Sequence, residues 1–247
     1  MLPSQWTITF SLAAALALAH WFSSLVAELP PKTQKALASL GGGFAIAYVF
    51  THLMPELAIG GRELSTETYM SQYLPSPLIE SCLFFTALLG IIMFFSLDVI
   101  SSSNTSAKKT NFRLHILSFA IINYLYAYTL PSLVNTGFIY AFLFTLAIGA
   151  HIILTDRTLA CSHPKLFRRR ARWIFIASIG LGITHSYLFH PISDLTLAIT
   201  TAFLGGGVLL SVFREEMPIA SMTQLPWFLT GAFSMSFTLL IHIILGH

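Results

Sequence analysis

The chain holds 247 residues, 55% of them hydrophobic and only 9% charged, where an ordinary soluble domain carries about 25% charged residues. With a mean hydropathy of +0.75, this composition excludes a soluble globular protein. The net charge of +3 sits in short gaps between apolar runs, a pattern of membrane topology and not of nucleic-acid binding. Two cysteines, Cys82 and Cys161, are too few for a disulfide framework, so helix packing in lipid has to hold the fold.

Apolar windows bounded by Pro, Gly or charge predict eight spans, over 6–28, 36–59, 78–100, 112–130, 137–155, 172–190, 194–216 and 226–245. At roughly 20 residues per span, they leave no room for a separate soluble domain. The first apolar run, Trp6 to Val26, follows Met1-Leu2-Pro3-Ser4-Gln5 without a basic n-region and reads as a retained helix, not a signal peptide. The runs are long and continuously apolar, without the alternation of barrel strands. The expected fold class is an all-α integral membrane bundle.

Basic residues fix the expected orientation. Lys32, Lys35, Lys108, Lys109, Arg113, Arg157, Lys165, Arg168, Arg169, Arg170 and Arg172 follow the first, third and fifth spans, whereas only Arg62 follows an even-numbered span and Arg214 falls within the seventh. Positive charge stays cytoplasmic, so both termini are expected on the non-cytoplasmic side of a plasma or bacterial inner membrane. The Arg168-Arg169-Arg170 cluster then faces anionic lipid headgroups at the cytoplasmic surface. A homodimer is left open.

Two segments repeat one pattern. Gly41-Gly42-Gly43 leads to His52-Leu53-Met54-Pro55, and Gly205-Gly206-Gly207 leads to Glu215-Glu216-Met217-Pro218. The first falls in the second span and the second in the seventh, which cross the membrane in opposite directions. This is the mark of an inverted repeat. The expected architecture is a 3+2+3 bundle: residues 1–100 as one three-helix repeat, 112–155 as two central helices and 172–245 as the second repeat.

Ionisable side chains within spans cost several kcal/mol at the bilayer centre and are functional candidates. His20, Glu28, His52, Glu56, Glu80, Asp98, His115, His151, Asp156, His185, His190, Asp194, Arg214, Glu215, Glu216 and His242 lie in or at the ends of spans, with Asn123. His52 and Glu56 are four apart, the spacing at which imidazole and carboxylate can share a metal, and Pro55 makes their helix irregular. His151 and Asp156 are five apart, as are His185 and His190. Imidazole, carboxylate and amide oxygen together suit a zinc-like cation better than magnesium. No Ser-His-Asp order, phosphate-binding glycine loop or Cys-x-x-Cys pair is present, so neither an enzyme nor an organic cofactor is expected.

The run from Gly41-Gly42-Gly43-Phe44 to His52-Leu53-Met54-Pro55-Glu56 resembles the second helix of the ZIP (Zrt/Irt-like) metal transporters. Glu215, three before Pro218, is similar to the acidic residue of that family's seventh helix. The resemblance implies eight helices, both termini outside the cytoplasm and a divalent cation, zinc-like, as transported substrate. The family binds metal through His-Asn-x-x-Asp in helix four and His-Glu-x-Pro-His-Glu in helix five. Here helix four reads Ile122-Asn123-Tyr124-Leu125-Tyr126 and keeps only Asn123, and helix five keeps His151 and Asp156. The resemblance therefore implies a reduced metal site with Asn123 and His151 as its remnants, His52 and Glu56 as neighbours on the pathway, His185 as a replacement ligand, and Asp156 and Glu215 as further candidate metal residues. Its alternatives are a non-transporting sensor or accessory subunit, and a transporter of another solute.

Overall fold

The computed structural model describes residues 1–66, 75–103, 108–162, 164–190, 192–216 and 223–245. Helices α1 (Pro3–Ala27), α2 (Pro31–Tyr48), α3 (Met54–Thr66), α4 (Ser76–Ser103), α5 (Lys108–Thr136), α6 (Phe138–Ser162), α7 (Arg172–Leu188), α8 (Asp194–Ser211) and α9 (Leu225–Leu245) form the bundle. Among the described residues there is no strand. Seven segments are long and apolar enough to cross a membrane: Pro3–Ala27, Pro31–Arg62, Ser76–Leu97, Ile116–Thr136, Phe138–Cys161, Asp194–Arg214 and Leu225–Ile244. The protein is therefore a multi-pass membrane protein of the all-α class. Helix α7 holds 17 residues, about 25 Å at 1.5 Å per residue.

Three helices run further than their apolar windows predict. The second continues through Pro55 to Thr66 because a π-turn, Val49–Leu53, joins α2 to α3. A proline lacks an N–H and its ring crowds the carbonyl four residues earlier. Here the Met54 N–H reaches back to Val49 O, and this wider turn absorbs the strain immediately before Pro55. The fourth continues through Pro131, buried inside α5, to Thr136. The fifth continues past Ile153 and Thr155 to Ser162. A second π-turn, Val212–Glu216, follows the Gly205–Gly207 triplet, while Met217 and Pro218 lie outside the described residues, as do His163 and Pro191.

Glycines decide which helices touch. A Cβ at Gly43 would overlap the Phe228 carbonyl oxygen of α9, and one at Gly206 would overlap the Ala87 carbonyl oxygen of α4. With hydrogen there instead, backbones approach closely, the usual route to tight packing in lipid. The most extensive pairings are α2 with α9, α5 with α7, α1 with α6 and α4 with α8. The central core is apolar, with Leu16, Tyr126, Leu130, Ala141 and Met235 fully enclosed. Many phenylalanines and leucines of α4 and α9 point outward, as a lipid-facing surface requires.

Candidate functional site

A cavity of about 560 Å³ lies between α2–α3, α4, α5, α6 and α8. One wall runs from Tyr48 to Leu64 and the opposite wall from Asp194 to Val208, about 20 Å along the helices at 1.5 Å per residue. Asp194, the first residue of α8, is exposed and marks the mouth. Its charge is close to the Ser193 cap, whose hydroxyl accepts from the Thr196 N–H.

His52 and Glu56, four apart in sequence, both line this cavity. The π-turn delivers His52 as a buried residue while Glu56 stays half-buried. The His52 imidazole stacks on Tyr140, centroids 5.2 Å apart, and contacts Tyr48 at 5.1 Å. Tyr140 in turn meets His242 edge-on at 4.6 Å. Thr129, Ser132, Thr136 and Thr201 add hydroxyls to the lining. An imidazole, the carboxylates of Glu56 and Asp194 and several hydroxyls are donors that a hydrated cation can use.

Beyond the inner end of the cavity the polar groups are enclosed. His151 stands one turn past the lining residue Ile148, and its Nε2 is 3.3 Å from Ser211 Oγ, one turn past Val208. Further along α6, Asp156 Oδ2 lies 2.6 Å from His20 Nδ1, and His20 Nε2 lies 3.1 Å from Asn123 Oδ1. Asn123 Nδ2 donates to Phe119 O at 2.9 Å, which turns its acceptor oxygen toward the imidazole. His20 Nε2 must therefore carry hydrogen, and one proton lies between Nδ1 and the carboxylate. All three side chains are buried.

The structure links Asn123 and Asp156 only through His20, a residue outside the motifs that carry the resemblance. A histidine in the middle of an apolar first helix was the available signal. His185 stands apart: it is exposed, its Nδ1 meets the Tyr124 hydroxyl, and its ring packs against Tyr128 and Phe189. The backbone of Glu215 lies in the second π-turn, but the side chains of Glu215, Glu216, Asp98 and His115 are outside the described residues. Among the described residues, no three His, Cys, Asp or Glu side chains gather as a metal group.

No family model and no curated protein matches this chain. The reading of its function therefore rests on the residues and their arrangement.

Proposed function

We propose that this chain is a divergent ZIP-like transporter that carries a divalent cation, zinc-like by its ligand types, towards the cytoplasm. The reading takes the bundle as eight membrane helices in a 3+2+3 inverted repeat, with α7 as the short sixth span. Exchanging the first three spans with the last three, and the fourth with the fifth, turns the α2–α9 pairing into α8–α4 and the α1–α6 pairing into α7–α5. All four are the extensive pairings. A π-turn after a glycine triplet occurs in both equivalent spans, which adds to the support.

One observation carries the transport reading: a cavity lined at one end by the exposed Asp194 reaches His52 and Glu56, and the buried His151 stands one turn beyond its lining on α6. A solute path that is accessible from one end and closed at the other is what alternating access requires in one of its states. The Asp194 end would be the non-cytoplasmic one. His52 and Glu56 supply two protein donors, fewer than the four of a structural zinc site. Water and the lining hydroxyls complete the shell, so binding is weak and exchange fast. His151 is the next donor inward, and Asn123 and Asp156 become ligands only when His20 swings away.

A second reading has its own support. The lack of a three-ligand group among the described residues favours a ZIP-like fold that no longer transports and acts as a sensor or accessory subunit. Uptake of zinc, iron and manganese into proteoliposomes separates the two. Saturable uptake that disappears in His52→Ala with Glu56→Gln establishes transport through this cavity. Folded protein that takes up none of the three metals leaves the second reading.

A further inference from the structure

A basic corner of the bundle holds a buried guanidinium between two indoles. Arg172 opens α7 directly after the π-turn Phe167–Ala171, whose Phe167 and Ala171 are fully enclosed. That anchoring fixes Arg172 against α1, where its guanidinium carbon lies 3.9 Å from the Trp21 ring centroid and 5.9 Å from that of Trp173. The two indoles meet edge-on at 6.1 Å and are each about half exposed. Arg172 itself is only 9% exposed. Among the described residues, its Nε is buried without a hydrogen-bond partner and no carboxylate pairs with it.

A buried guanidinium is costly unless an anion or acceptor meets it. Indole faces offset part of that cost through cation–π attraction but leave the Nε–H without an acceptor. Trp21 and Trp173 are the interfacial type that settles at headgroup level. Lys165, Arg168, Arg169 and Arg170 are exposed just before the corner and raise the local positive potential. A phosphate oxygen fits the planar N–H fork, while the surrounding cations favour a lipid with net negative charge over a zwitterionic one.

We propose that Arg172, Trp21 and Trp173 form a binding site for the phosphate headgroup of an anionic phospholipid. The indoles hold the guanidinium in plane and cover the glycerol end of the lipid. Arg168–Arg170 draw the headgroup in without contacting it specifically. This site is independent of the transport reading, because it lies on α1 and α7, neither of which lines the cavity.

Native mass spectrometry of the full-length protein in an equimolar phosphatidylglycerol and phosphatidylcholine mixture tests it. The wild type is expected to retain phosphatidylglycerol over phosphatidylcholine by about fivefold or more, the selectivity one interfacial charge supplies. Arg172→Gln should lower the ratio to the smaller preference that Arg168, Arg169 and Arg170 supply alone, and Arg172→Lys should recover only part of the loss. Should Arg172→Gln not fold, Trp21→Leu, which keeps the charge but removes the platform, is expected to lower the ratio as well. Equal retention of both lipids by the wild type overturns the proposal. So does an unchanged ratio in whichever of these two variants folds, or a ratio that depends only on Arg168, Arg169 and Arg170. Displacement of the lipid by millimolar inorganic phosphate also overturns it, since the occupant would then be a soluble anion.

Discussion

His20 Nδ1 lies 2.6 Å from Asp156 Oδ2 across 136 residues of chain, with both side chains buried. The contact ties α1 to α6, and through Asn123 to α5. Its energetic meaning follows from what removal leaves behind. Without His20, Asp156 is a carboxyl group enclosed in the bundle with its main partner gone.

His20→Ala should therefore destabilise the protein by about 3–5 kcal/mol, the cost of stranding one member of a buried pair. Replacing both members, His20→Leu with Asp156→Leu, should recover much of that loss because no uncompensated charge remains. Reversible unfolding in mixed micelles gives both values. A double variant no more stable than His20→Ala would show that the pair does not act as a unit.

The close approach of α4 and α8 makes Gly206 sensitive to a single methyl group. Gly206→Ala would force Ala87 and its backbone carbonyl away, and overpacking of this kind costs about 1–3 kcal/mol. By contrast, Gly149 and Gly180 have open space where a Cβ would go. Gly149→Ala should be neutral or slightly stabilising through higher helix propensity. Thermal melts of the two variants in the same detergent are the comparison to make.

Pro55→Ala restores an N–H directly after the π-turn and removes the ring that made the wider turn useful. The turn should then relax toward regular α-helix and rotate His52 relative to Glu56. Uptake is expected to fall about tenfold, corresponding to roughly 1.4 kcal/mol in site occupancy, while the melting temperature holds or rises. Loss of uptake together with loss of stability would instead mean that Pro55 serves packing.

Ala198 faces the cavity from α8. Ala198→Phe would fill space between Asp194 and His52 without touching either donor. On the transport reading uptake should drop at least about tenfold, again roughly 1.4 kcal/mol in occupancy, with little change in folding. Ala202, fully enclosed and absent from the cavity lining, is no control for this purpose; Leu195, exposed one residue from the mouth, is. Unchanged uptake in Ala198→Phe would remove the cavity from the path.

Hydropathy by itself determined the membrane class and most span positions, because a helix crossing lipid has to be apolar over most of its length and such runs are visible in one dimension. The glycine triplets and the proline after His52 marked where backbones approach and where a helix departs from α geometry. Proline was a weaker guide to helix ends: the fourth predicted span stops before Pro131, yet α5 continues through it to Thr136. Which polar groups meet was decided only by tertiary structure. His185 and His151 look alike as histidines in apolar helices, yet one points outward to Tyr124 and the other inward to Ser211. His20 closes the Asn123–Asp156 pair from a helix more than a hundred residues away in sequence. Linear spacing records neighbours along one helix, whereas a ligand set or a polar lock depends on how separate helices are rotated and paired in the bundle.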